Sequence, residues 1–158
     1  MLLVPEIKDS PKKTAAMNFW QTKTLHEMTD AEWESLCDNC GKCCLNKLED
    51  EKTGEIHFTS AACRLLDLKT CRCTRYAERT RLVPRCLDVR KLDPEAYHWL
   101  PSTCAYRLLS ESEDLPTWHP LVSGRRETVQ RAGVSISSYA VNENQVRRLE
   151  DHIIRWLD

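Results

Sequence analysis

Nine cysteines lie between residues 37 and 104 of a 158-residue chain, and none falls in the last third. Four of them occupy eight positions, "CDNCGKCC" at 37–44, and the last two are neighbours. A CxxC step folds a tight turn that aims two sulfurs at one centre, and Cys37, Cys40 and Cys43 make two such steps in succession. Gly41 is available for an unusual backbone conformation between them. Cys44 does not fit the same centre, because adjacent side chains diverge by about 100° on a helix and point to opposite faces of a strand. It is expected to face a second centre, or to join a cluster in which sulfurs bridge metals. Cys63, Cys71, Cys73, Cys86 and Cys104 supply five more thiols. The set furnishes two four-cysteine sites with one thiol spare, or one shared multinuclear cluster, and spacing alone does not group them.

The opening "MLLVPEIKDSPKK" carries Pro5 and charge from Glu6 onward, which leaves no apolar run for a signal peptide. No stretch of about 18 apolar residues offers a membrane span. A cytoplasmic address is expected, where thiols stay reduced, so the cysteines call for a metal rather than a disulfide framework. With 23 basic against 24 acidic residues the net charge is −1, and no whole-chain field draws the protein to nucleic acid or to an anionic membrane. Neither is an expected partner. Residues 1–16 read as a disordered tail or an upstream-start artefact, and 17–158 as a single cysteine-cluster domain, expected to be monomeric.

The pattern predicts an α-rich α+β fold: short helices with a few short strands, organised around a cysteine-ligated metal centre. Thr29 and Glu32 form a capping box ahead of "WESL". A charged connection turns at Gly54 and leads to a short strand through Ile56 and Phe58. Helical turns are expected at "AACRLLDL", "PEAYHWL" and "CAYRLL", which would place Cys63 and Cys104 near helix N-termini and lower their thiol pKa. "VSISSYAV" alternates like a strand. Asn142 is expected to cap a closing amphipathic helix with Val146, Leu149, Ile153, Trp156 and Leu157 on one stripe.

Arginines 72, 75, 79, 81, 85 and 90 are read as compensating thiolate charge, since four thiolates on one zinc leave −2. A nucleic-acid patch is the weaker reading, with Tyr76 alone interleaved. His57, His98, His119 and His152 have no ligand spacing among themselves, and hydrogen-bonded histidines are the commoner case. The five tryptophans read as core anchors, and "GRRETVQR" at 124–131 as a solvated helix face. No Ser/His/Asp order and no P-loop is present, so any enzymatic role rests on the metal site.

Four stretches, "FWQTKTLHEMTDAEWESLCDNCGKCCLNKL", "FTSAACRLLDLKTCRC", "LPSTCAYRLL" and "DLPTWHPL", resemble the YcgN family of small bacterial cysteine-cluster proteins. The resemblance runs from about Asn18 to the C-terminal segment and weakens at 86–98 and 124–145. The family sits in a wider CxxCxxCC group described as zinc- or iron-chelating domains, which includes a flagellin lysine methylase with an iron–sulfur association. The resemblance implies metal-binding roles for Cys37, Cys40, Cys43, Cys44, Cys63, Cys71, Cys73, Cys86 and Cys104. The expected cofactor is zinc or an iron–sulfur cluster, in one or two centres. The expected role is metal handling or iron–sulfur assistance. The alternatives are a structural zinc adaptor that binds an unknown protein partner, and a thiol oxidoreductase using one CxxC pair.

Overall fold

Capping chemistry starts the chain. A computed structural model describes residues 18–155, so the tail read at 1–16 and the apolar positions Trp156 and Leu157 lie outside the described residues. After α1 (Phe19–Thr22), α2 (Asp30–Ser35) begins at the predicted box: Thr29 Oγ1 accepts the Glu32 N–H at 3.2 Å, and Glu32 Oε2 accepts the Thr29 N–H at 2.9 Å. Trp20, Trp33, Leu36, Tyr97, Leu100, Tyr106 and Leu115 form the largest apolar cluster, and the buried Tyr106 hydroxyl donates to Trp33 O at 2.7 Å. Trp20 and Trp33 are thus core anchors, as expected.

β1 (Leu45–Glu49) pairs antiparallel with β2 (Ile56–Ala62), with a register shift between Leu45 and Lys47. The connecting turn has Gly54 at φ +70°, where glycine is free to go. A hairpin of β3 (Leu66–Asp67) and β4 (Arg72–Cys73) follows. Next come α3 (Arg79–Leu82), 3-10 turns at Val89–Lys91 and Pro94–Trp99, α4 (Ala105–Ser110), α5 (Pro120–Ser123) and α6 (Thr128–Arg131). β5 (Val141–Asn142) adds parallel to β2. The domain is small and mixed, with short helices and a few short strands. Among the described residues no helix is long and apolar enough to cross a membrane.

Four expectations change. Residues 45–49, read as a charged connection, form β1, because Leu45 is buried against Phe58 and Leu66 while the Lys47 ammonium sits 5.1 Å from the Phe58 ring. The predicted helical turn at 61–68 is strand and turn instead. Ala61 and Ala62 end β2 in fully buried positions, and Cys63 follows a strand, not a helix cap. The closing helix is absent among residues 142–155. Asn142 does cap, accepting the Asn144 N–H at 2.9 Å, but only for a 3-10 turn at Glu143–Gln145. Val146 is extended, a second 3-10 turn spans Leu149–His152, and Ile154 N–H donates to Phe58 O at 2.8 Å. The backbone of 153–154 bonds across to β2, and that pairing competes directly with helical hydrogen bonds. "VSISSYAV" is likewise strand only at its end, with a 3-10 turn at Ile136–Ser138.

The cysteine-rich loop is clamped at both ends by later sequence. His119 is fully buried; its Nδ1 accepts the Leu121 N–H at 3.0 Å and its Nε2 lies 2.8 Å from Leu36 O. Since Nδ1 is an acceptor, Nε2 carries the proton and donates to the carbonyl just before Cys37. Downstream, Asn39 (φ +56°) and Gly41 (φ +81°) are both left-handed, and the Ile136 N–H donates to Cys40 O at 2.9 Å. A Cβ on Gly41 would stand 2.7 Å from Ile136 Cγ1 and 3.4 Å from Cys71 Sγ. Gly41→Ala is therefore expected to destabilise by about 2–4 kcal/mol, from left-handed strain plus overpacking, read as a lowered urea midpoint at unchanged slope. His119→Ala, which strips the Leu36 carbonyl and leaves a cavity, is expected to cost about 2–4 kcal/mol by the same measurement.

Candidate metal centre

Seven of the nine cysteines, Cys37, Cys43, Cys44, Cys63, Cys71, Cys73 and Cys86, line one cavity of about 1440 Å³. This exceeds the usual ~300–1,000 Å³ of a small-molecule site. Cys40, which is buried, and the half-buried Cys104 are not among its lining residues. Cys37 and Cys43 count as exposed, yet both line this cavity, and protein crowds them closely enough that burial raises the Cys37 thiol. Their accessible surface is cavity wall. No disulfide links any cysteine.

The thiols fall into two neighbourhoods. Cys37, Cys40, Cys43 and Cys104 are close enough for their charges to interact, and Asp38 acts on all four. A side-chain hydrogen bond accompanies the long-range member: the Tyr106 hydroxyl donates to Trp33 O and ties the start of α4 to α2, and Cys104 is the N-cap of α4. Cys44, Cys63, Cys73 and Cys86 form the other neighbourhood. Cys63 N–H donates to Cys44 O at 2.9 Å, and Cys73 pairs with Leu66 just beyond Cys63. Cys43 touches both groups, because Cys44 S–H donates to Cys43 sulfur. Cys71 has its Sγ 3.5 Å from Ser135 Oγ and packs against Gly41 of the loop, in a left-handed conformation with φ +54°.

Burial governs the electrostatics. It pushes Cys37, Cys40, Cys63, Cys86 and Cys104 above the ordinary thiol value, Cys104 to about 12. The lowering expected for Cys63 and Cys104 at helix N-termini is thus reversed. Cys63 has no helix, and for Cys104 desolvation outweighs the N–H groups of Tyr106 and Arg107. Cys43 goes down, to about 7, because it accepts the Cys44 proton, and Cys44 goes up for the same reason. Lys47, whose ammonium donates to Cys43 O at 2.8 Å and Leu45 O at 3.0 Å, acts on Cys43, Cys44 and Cys86. Arg79 acts on Cys86.

Of the six arginines read as charge compensators, Arg72, Arg79 and Arg85 line the cavity. Arg75 and Arg81 pair with Glu78, and Arg90 pairs with Asp30 at 2.7 Å while stacking on Trp33. The cation that sequence reading missed is Lys47. Its signal, one lysine three residues after Cys44, emerges only once β1 turns it back over the loop. His57, His98 and His152 contact Glu55, Glu95 O and Ser60 respectively, away from the thiols. Among the described residues no three His, Cys, Asp or Glu side chains stand together as a preformed ion cage. Asp38 Oδ2 is buried without a hydrogen-bond partner, and this acid was not singled out from sequence.

Residues 36–105 match the CxxCxxCC family, described as a "Putative zinc- or iron-chelating domain". A UPF0260 protein of Granulibacter bethesdensis is 52% identical over 143 residues, covering 90% of this chain and 86% of the relative. The UPF0260 protein YcgN of Salmonella paratyphi A is 53% identical over 136 residues, covering 86% and 92%, and that of Salmonella newport is 53% identical, covering 86% and 89%. No solved structure matches the chain. The matched segment begins one residue before Cys37 and ends one residue after Cys104, so it spans every cysteine, and the chain belongs to the YcgN (UPF0260) family of CxxCxxCC proteins.

Proposed function

We propose that this protein holds metal in two linked cysteine centres and serves in metal handling or as an iron–sulfur accessory. The observation that carries the reading is the convergence of seven cysteines, drawn from residues 37 to 86, on one cavity wall. Neutral thiols are weak hydrogen bonders that gain little from one another, whereas thiolates are strong ligands for zinc and iron. The first centre takes Cys37, Cys40, Cys43 and Cys104; the second takes Cys44, Cys63, Cys73 and Cys86. Cys71 is the spare thiol. The raised thiols release protons when they ligate, and Lys47 and Arg79 offset the negative charge that four thiolates leave. Bound zinc would supply a closed structural site, and an iron–sulfur cluster one-electron transfer.

Anaerobic purification with elemental analysis, acid-labile sulfide and a visible spectrum tests the reading. Brown protein with iron and sulfide is the outcome expected of a cluster accessory. Colourless protein with stoichiometric, tightly held zinc selects the structural zinc adaptor instead. Folded protein with no metal of any kind sinks both.

Paired substitutions test the grouping. Cys37→Ser with Cys104→Ser is expected to remove no more metal than either alone, because both serve one centre. Cys104→Ser with Cys73→Ser is expected to empty both centres, and Cys71→Ala to retain full metal. Chelation of the loaded protein is expected to lower its thermal midpoint, since binding free energy is folding free energy in such domains.

A further inference from the structure

The cysteine cavity is larger than an ion needs, and part of its wall is of no use to one. Leu87, Leu92, Ala96, Trp99 and Leu121 line it half-buried. At about 1440 Å³ it also passes the range of a small-molecule pocket, which leaves room for a stretch of polypeptide. Six cationic side chains line it against four acids. Three of those acids are engaged: Glu34 accepts the Tyr76 hydroxyl, Asp38 the Cys40 N–H, and Glu143 the Arg64 N–H and the Asn46 amide. Lys47 and Arg79 already serve Cys43 and Cys86. Arg72 on β4, Arg85 after α3 and Arg126 before α6 line the cavity, are exposed, and hold no ion pair among the described residues. The planar guanidinium fork suits a carboxylate. Residues 1–16 do not supply the complement, since they set Lys8, Lys12 and Lys13 against Glu6 and Asp9. A nucleic-acid strand would satisfy the arginines and leave the aliphatic wall bare.

We infer that this cavity receives an acidic segment of a partner protein, whose carboxylates meet Arg72, Arg85 and Arg126 and whose apolar side chains rest on the wall from Leu87 to Trp99 and on Leu121. The inference goes beyond metal holding, because every residue it uses lies outside the proposed ligands. Complementary charge speeds and orients the encounter, and burial of apolar side chains on the wall prolongs it. An occupant seated there shares its walls with seven sulfurs, so the partner is recognised in the same cavity that gathers the thiols.

The test follows the fluorescence anisotropy of a labelled short peptide, glutamate alternating with leucine, against the full chain as isolated. Binding is expected, weakening as salt is raised, while counterparts with lysine for glutamate or serine for leucine do not bind. Arg72→Gln with Arg85→Gln and Arg126→Gln is expected to lose about 10-fold in affinity. Arg75→Gln with Arg81→Gln and Arg125→Gln, which removes the same charge outside the cavity lining, is expected to leave affinity unchanged. Ala96→Glu, which sets a like charge in the apolar wall, is expected to abolish binding, and Ala96→Gln to weaken it less; circular dichroism checks that each variant is folded. No binding of the acidic peptide, equal binding of its lysine counterpart, or equal loss in the two triple variants overturns the inference. So does a DNA oligonucleotide that binds more tightly and displaces the peptide. Binding that emerges only when residues 1–16 are removed assigns the cavity to the chain's own tail and overturns it too. Metal content measured on the same samples keeps the two readings apart: peptide bound by metal-free protein supports this inference and counts against metal holding, and metal held without peptide binding does the reverse.

Discussion

The left-handed pair at Asn39 and Gly41 is the constraint on which the cysteine loop depends. Two positive-φ residues stand at alternate positions within the loop. Position 41 must be glycine for a second reason, since the Ile136 side chain fills the space a Cβ would need. The same Ile136 holds Cys40 O through its N–H, and His119 holds Leu36 O at the other end. The asymmetric placement of the cysteines suggests a metal-organised middle closed by a separately packed C-terminal helix. That helix is absent among the described residues, and the cysteine-free last third supplies the clamps on both ends of the loop.

Charge sets the second constraint. Burial favours the neutral thiol at Cys37, Cys40, Cys63, Cys86 and Cys104, so a metal has to displace protons from groups that the fold holds back from ionising. Lys47 and Arg79 moderate this on the side of Cys86. On the side of Cys104 Asp38 acts on every thiol and raises it, and Lys47 opposes it at Cys43.

Local signals were legible wherever short-range chemistry decides them. The Thr29 to Glu32 box, the Gly54 turn, the strand through Ile56 and Phe58, and the special role of Gly41 all follow from residues within a few positions of one another. Non-local pairing hid the rest. Val146, Leu149 and Ile153 carry a helical period, yet Ile153 bridges to Thr59 and Ile154 bonds Phe58, and no pattern within the segment announces that competitor. Cys63 looked close to a helix start because Ser60 or Thr59 could cap a turn at "AACRLLDL"; Thr59 to Ala62 lie in β2 instead, with both alanines buried. For the site, spacing identified the loop and set Cys44 apart, but only the β1–β2 pairing shows that Cys44 neighbours Cys63.

The junction of Cys43 and Cys44 has a mechanical basis in the backbone. Lys42–Cys44 is a 3-10 turn closed by Cys44 N–H on Gly41 O at 3.0 Å. The carbonyl of Cys43 is held by Lys47 and that of Cys44 by Cys63. With both carbonyls held and the turn closed, neither residue can swing its backbone toward the other's side, and only side-chain rotation remains. The two side chains nevertheless meet, since the Cys44 S–H reaches the Cys43 sulfur. Under the two-centre reading, the single peptide between Cys43 and Cys44 is what joins the centres. Any shift of that peptide as one centre closes on its ion is passed directly to a ligand of the other.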